Sequence, residues 1–298
     1  MSDFSTWTQK PHAKDYLLFP ENIGPYLSID ETALSKGELY TIITNKYAKG
    51  HRGSIVAIFY GTKVEVIVEK LRTISDSLRR KVKEVTLDMA SSMKKIVSRA
   101  FPYATQVTDR FHVQKLALEA LQNIRIEYRW QVLEQENTRL QEAKAKKETY
   151  VEIEFGNGDT RRELLVRSRY LLYKCSSKWT ESQSKRADIL FREYPKLKKA
   201  YKLANQLRAI YNQNLHPKVA MTKLAHWYKD VEDSGLNNFN TVMNTIQANY
   251  KTIINYFNNR STNAAAESFN AKIKAFRAQF RGVRNTDFFL FRLTKIFA

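Results

Sequence analysis

Cysteine is all but absent: Cys175 is the only one in 298 residues. That excludes an internal disulfide or a multi-cysteine zinc site within the chain, and it points to a reducing, intracellular setting. No apolar run is long enough to span a bilayer, and the N-terminus lacks the basic flank, apolar stretch and small-residue cleavage site of a secretory leader. A soluble protein without membrane partners is expected, cytoplasmic and associated with the nucleoid. Gly/Ser linkers, low-complexity tracts and internal repeats are also missing. Acids are scarce beside bases: 30 Asp plus Glu face 50 Lys plus Arg, a formal net charge of +20. Such an excess concentrates polyanions at the surface, so nucleic acid is the expected partner.

What is present falls into blocks. From Ile23 to Thr62, short β-branched runs (Leu27 to Glu31, Leu39 to Thr44, Ser54 to Tyr60) alternate with glycine punctuation at Gly37, Gly53 and Gly61. This predicts an antiparallel three-stranded meander, with its first turn at Lys36-Gly37. Val64 to Lys83 spaces Val64, Ile67, Val68, Leu71, Ile74 and Leu78 as a helix does; Val85 to Leu87 is a strand, Ser91 to Phe101 a helix stopped at Pro102, and Thr105 to Thr108 a strand. Three strands, helix, strand, helix and strand make a mixed α/β sheet in the order used by RNase H-like nucleases and polynucleotidyl transferases.

After His112 the pattern becomes helical. Val113 to Thr149 carries an apolar stripe of Leu116, Leu121, Ile124, Tyr128 and Leu140, Thr160 to Glu163 fits a capping box, and helical periodicity continues to Asn258 with breaks at Pro195, Pro217 and Gly235. The expected organisation is an N-terminal arm (1–22), a first part of the α/β core (23–112), an all-helical insertion (113–260) and a C-terminal helical part of the core (261–298).

Several acids stand where chemistry is usually built. Asp30 and Glu31 follow an apolar run, Asp88 follows Glu84 to Leu87, Asp109 follows Thr105 to Thr108, and Glu267 lies on the late helix. A buried strand ending in an acid is costly unless a cation compensates it. Carboxylates brought together by strand ends and one helix are the means by which two divalent ions are held for phosphoryl transfer. Each acid also has a plainer reading. Asp30 and Glu31 suit a turn, Asp88 suits a helix N-cap, and His112, three residues after Asp109, suits a packed histidine at a helix start. On a strand, Asp30 and Glu31 point to opposite faces, and Asp30 is assigned to the site.

The late block, Arg260 to Lys274, is the most specific. Asn263, Glu267, Asn270 and Lys274 recur every three or four residues and form one polar helix face; a merely solvated face has no need of two asparagines, which are poor helix formers. Downstream, Lys272, Lys274, Arg277, Arg281, Arg284, Arg292 and Lys295 interleave with six phenylalanines from Phe269 to Phe291. The aromatics read as core and the cations as phosphate contacts.

Together, Ser28 to Glu31, Leu87 to Met89, Thr108 to Val113 and the block from Thr262 to Lys274, ending near Gly282 to Asn285, resemble the catalytic domain of ISL-three-type bacterial insertion-sequence transposases. The resemblance covers about Tyr26 to Arg292. It implies a DDE transposase catalytic subunit with an RNase H-like core and a helical insertion before the last catalytic acid. It further implies metal-dependent phosphodiester cleavage and strand transfer at insertion-sequence ends, through two Mg²⁺ or Mn²⁺ held by Asp30, Asp88 and Glu267.

Asp109 and His112 match the supporting Asp/Cys-x-x-His element, with Glu31, Asn263 and Asn270 as further supporting residues. Lys272, Lys274, Arg277, Arg281 and Arg284 would hold DNA. A homo-oligomer on DNA is expected, as is a separately encoded or missing N-terminal part for end recognition, because the zinc-binding and helix-turn-helix region common in the family is not seen. Ala264 and Ser268 also replace glycines common around the last acid. Alternatives are an RNase H-fold structure-selective nuclease or resolvase, and a non-catalytic DNA-binding remnant of a mobile element.

Overall fold

In a computed structural model, residues 2–35, 38–280 and 285–298 are described. The turn expected at Lys36-Gly37 lies outside the described residues. The chain divides into two compact units, one of residues 1–112 and 249–298, the other of residues 113–248.

The first unit is built on a six-stranded mixed sheet. Its strands are β1 (Tyr16–Leu18), β2 (Tyr26–Ser35), β3 (Glu38–Asn45), β4 (Ile55–Tyr60), β5 (Glu84–Leu87) and β6 (Thr105–Thr108), in the spatial order β1-β4-β3-β2-β5-β6. The expected meander is present: β2 pairs antiparallel with β3 from Leu27↔Asn45 to Ser35↔Glu38, and β3 with β4. β5 then pairs parallel with β2, and β6 parallel with β5. Helix α1 (Ser2–Ser5) opens the chain, and the segment read as an arm supplies β1, an edge strand antiparallel to β4. Three residues between turns are too short for a sequence period to reveal.

Both faces of the sheet are covered, and the alternation of strand side chains decides which residue faces which layer. Leu27 and Ile29 of β2 and Ile43 of β3 pack with Ile67, Val68 and Leu71 of α2 (Val64–Arg72) and Met93, Ile96 and Val97 of α4 (Ser91–Ala100). Tyr40 and Ile42 of β3 and Ile58 of β4 face the other way, onto Phe269 and Ile273 of α12 (Ala264–Gln279) and Phe289, Leu290 and Leu293 of α13 (Thr286–Phe297). The single helix expected over Val64 to Lys83 is two, α2 and the short α3 (Asp76–Arg79), because the chain turns between them to bury Ile74. Helix α11 (Tyr250–Asn259), placed by sequence with the insertion, belongs to this unit. It lies along β6, where Asn255 Nδ2 donates to Gln106 O at 2.8 Å and the hydroxyls of Thr108 and Thr252 are 2.7 Å apart.

The second unit is helical. It holds most of α5 (Arg110–Lys146), then α6 (Arg161–Arg167), α7 (Glu181–Glu193), α8 (Pro195–Asn212), α9 (Pro217–Ser234) and α10 (Asn237–Ala248). The expected capping box is formed at Thr160 and Glu163, and a second at Thr180 and Gln183. Pro195 and Pro217 start helices rather than break them, since the first turn has no use for the missing N–H. Gly235 ends α9 in a left-handed conformation, φ 65°. Buried Arg125 is satisfied by Leu165 O and by Gln122 Oε1, at 2.9 and 2.7 Å.

Candidate active site

The site forms where β5 stops accompanying β2. The two strands pair only from Tyr26↔Glu84 to Ser28↔Thr86, while β2 continues to Ser35. Asp30 is therefore mid-strand, not at a strand end as expected; the ending strand is its neighbour, which delivers Asp88 just past Leu87. The period of two puts Ser28 and Asp30 on the face opposite Leu27 and Ile29, which is the face covered by α12.

Helix α12 meets them with its polar stripe. Asn270 Nδ2 donates to Asp30 Oδ2 at 2.6 Å, while Asp30 Oδ1 accepts from the Glu31 amide at 2.9 Å. About two turns earlier, buried Asn263 accepts from Ser28 Oγ, and its carbonyl receives the Glu267 amide at 2.8 Å. Glu267 lies between these two anchors, its Oε1 buried without a hydrogen-bond partner among the described residues.

Asp109, at the end of β6, is buried, and neither of its carboxylate oxygens has a hydrogen-bond partner among the described residues. Asp88 is better provided, since the Ala90 amide donates to its Oδ1 at 2.8 Å. It stands just before α4 as a turn acid does; the N-cap of that helix is Ala90.

The acids feel one another. Asp30 is raised above the usual carboxylate range, first by burial and also by the charge of Asp88, against lowering contributions from the Glu31 amide, His112 and Asn270. Glu31 is raised by burial, then by Asp88 and Asp30. Glu267 is raised by burial, then by Asp109 and Asp30, with His112 opposing. Asp30 is thus coupled to Asp88 on one flank and to Glu267 on the other, and His112 acts on both Asp30 and Glu267.

The buried, unpartnered oxygens of Asp109 and Glu267 suit divalent cations, which take hard oxygen ligands. Among the described residues, however, no three His, Cys, Asp or Glu side chains converge into a ready ligand set.

The expected DNA contacts divide. Lys272 Nζ donates to Gly50 O at 3.0 Å, the Arg277 guanidinium lies 4.8 Å from the Phe289 ring centre, and Lys274 is exposed. Arg281 and Arg284 lie outside the described residues. Ala264 and Ser268, in place of the expected glycines, are exposed residues of α12.

One buried group escaped the sequence reading. Lys46, just after β3, donates to Thr86 Oγ1 at 2.7 Å and to Ser261 Oγ, and pairs with Glu84 at 3.7 Å. It ties the approach to α12 to the middle of the sheet. Burial pulls the Lys46 ammonium down, and the charges of Glu84 and Asp109 work against that. The available signal was Glu84, a charge opening a fully buried strand.

Residues 27–293 match the ISL3-type DDE transposase family model, whose description is "Transposase". The chain belongs to the ISL3-type transposase family. A curated relative, "Transposase for insertion sequence element IS1001" of Bordetella parapertussis, is 23% identical over 274 residues. That alignment covers 91% of this chain and 61% of the relative, so the chain spans about three-fifths of that transposase's length. No solved structure matches. The sheet order and helical unit of this transposase-family chain are consistent with an RNase H-like core and a helical region. Among the described residues, no helix is long and apolar enough to cross a membrane.

Proposed function

We propose that the chain is the catalytic part of a DNA transposase that cuts the phosphodiester at the ends of an insertion sequence and joins the freed 3′ end to target DNA. The observation that carries this is Asp30 on β2, fixed by Asn270 and coupled by charge to both Asp88 and Glu267.

Asp30, Asp88 and Glu267 would hold two Mg²⁺ or Mn²⁺. When bound, these ions activate water or a 3′-hydroxyl and stabilise the entering and leaving oxygens, so no covalent enzyme intermediate is needed. Asn270 holds the Asp30 carboxylate in one orientation, and the Ser28–Asn263 contact sets where α12 begins and so where Glu267 stands. Partial burial of Asp30 and Glu267 lowers the local dielectric and strengthens their hold on a cation. Asp109 and His112 support them, Asp109 beside Glu267 and His112 by opposing the accumulated negative charge. Lys274 and its basic neighbours on α12 contact phosphates, which position DNA without reading its sequence. End recognition falls to a further segment or partner, and the active form is an oligomer on DNA.

The test is nicking and joining of DNA bearing the element ends, with Mg²⁺ or Mn²⁺ and end recognition supplied. Wild-type protein is expected to cut and Glu267→Gln to be inactive; an undiminished rate in Glu267→Gln defeats the assignment.

A further inference from the structure

The second unit contains a cavity of about 630 Å³ unrelated to the carboxylates, within the roughly 300–1,000 Å³ typical of ligand sites. Three aromatic rings line it. Trp179 lies 5.4 Å from Tyr201 and 6.2 Å from Phe191, and Phe191 lies 5.3 Å from Tyr201, with interplanar angles of 31 to 44°. All three are half-buried, although rings of this size are usually covered when they only fill a core.

Their polar tips are already tied down. Trp179 Nε1 donates to Leu171 O at 2.9 Å and Tyr201 Oη to Lys174 O at 2.8 Å, so the rings are held in place with apolar surface turned to the cavity. The rest of the lining includes Lys198, Lys202 and Arg208 and no carboxylate. The Arg208 guanidinium is held by Tyr173 O and Asn205 Oδ1, at 2.9 and 3.0 Å, whereas Lys198 and Lys202 are exposed at the rim. The acid joined to this lining, Asp230, accepts from Gln206 Nε2 at 2.9 Å.

We propose that this cavity takes an unpaired base of single-stranded DNA, stacked on the Trp179, Phe191 and Tyr201 rings, with its flanking phosphates on Lys198 and Lys202. Fixed π-faces beside cations, with no carboxylate in the lining, complement a base attached to a polyanion, and stacking of this kind tolerates any base. A purely apolar partner would leave the lysines without function, and an acidic one would leave the rings so. A duplex cannot enter, because its bases are stacked on each other; the site therefore takes DNA that is melted or frayed. The proposal rests on the reading that the chain acts on DNA.

The test uses the full chain and a short oligonucleotide carrying one 2-aminopurine, either unpaired or within a duplex. The emission of the unpaired probe is expected to fall on binding, while the duplex probe stays unchanged. Tyr201→Ala and Phe191→Ala, shown to be folded by circular dichroism, are expected to bind the single strand about tenfold more weakly and the duplex as wild type does. Lys198→Glu/Lys202→Glu, a surface change, is expected to weaken single-strand binding similarly. Equal behaviour of both probes, or single-strand affinity unaltered by these variants, overturns the proposal. So does a concentration-dependent dimer that the same variants dissociate, which would make a second copy the occupant. Glu267→Gln separates the two readings: it is expected to keep the stacking signal and lose nicking, and retained nicking defeats the catalytic assignment alone.

Discussion

Asn270 and Asp30, 240 positions apart in sequence, share a 2.6 Å hydrogen bond from Nδ2 to Oδ2. Half of the proposed carboxylate pair with Glu267 thus depends on a neutral amide of α12. An amide can fix a carboxylate without competing for a cation, whereas a lysine there would neutralise it.

Asn270→Ala should accordingly leave the fold intact and lower metal-dependent nicking by roughly 10- to 100-fold, the usual cost of losing a group that orients a ligand. Asn270→Asp should be worse, because it sets a second negative charge against Asp30. Single-turnover nicking rates alongside thermal melts would show this. A wild-type rate in Asn270→Ala means that Asp30 needs no such support.

Lys46 sets a different dependence. Its ammonium is largely buried beside Glu84, whose side chain is 4% exposed, at 3.7 Å. Removing one partner of such a pair leaves the other charge buried, so Lys46→Met should destabilise the protein by about 3–5 kcal/mol. Lys46→Met/Glu84→Gln should recover part of that loss, because the stranded charge is gone. Urea denaturation of wild type, Lys46→Met, Glu84→Gln and the double variant checks both points, and strictly additive single-site costs would refute the coupling.

The sheet was legible in sequence because strand periodicity and glycine punctuation are local signals. Alternation along Leu27 to Glu31 was enough to put Asp30 on the face opposite Leu27 and Ile29. The extension of β2 past Asp30 was not legible, since what ends beside Asp30 is β5, and pairing between distant segments leaves no mark on either strand. The same holds for α11. Its periodicity matches that of the preceding helices, and only its contact with β6 assigns it to the sheet unit. On α12, the spacing of Asn263, Glu267 and Asn270 displayed the stripe. Ser28 and Lys46, which hold that stripe's approach in place, carry no pattern of their own.

In the helical unit, fully buried Asp159 accepts from Arg186 Nε at 2.6 Å, from Asn157 Nδ2 at 2.7 Å, and from Arg167. Burial pushes its carboxyl up, but the hydrogen bonds from Arg186, Arg167 and Asn157 outweigh it and the net position is below the usual range. A carboxyl lowered by folding adds stability that is complete above its unfolded pKa, about 3.9, and is lost as pH falls through the folded value. Asp159→Asn should therefore be less stable at neutral pH by about 3 kcal/mol, with the gap to wild type narrowing below about pH 4. Denaturation curves from pH 7 downward test this; a gap independent of pH would mean that the loss is one of shape, not of charge.

Asp88 and Asp109 compete for the middle metal position. β5 lies between β2 and β6, so Asp88 ends the strand next to Asp30 and Asp109 ends one strand further away. Asp30 is affected by Asp88, whereas Glu267 is affected by Asp109. Asp109 is the more deeply buried and its carboxylate oxygens have no hydrogen-bond partner among the described residues, which makes it the costlier charge to keep; Asp88 Oδ1 accepts from Ala90 and its other oxygen remains to be used. Adjacency to Asp30 favours Asp88 as the ligand and Asp109 as support beside Glu267. Asp88→Asn should then abolish the rise in melting temperature that Mn²⁺ gives the wild type and reduce cleavage about a hundredfold or more, while Asp109→Asn keeps part of both. Near-normal metal stabilisation and cleavage in Asp88→Asn, with both lost in Asp109→Asn, would reverse the assignment and place the second ion between β6 and α12.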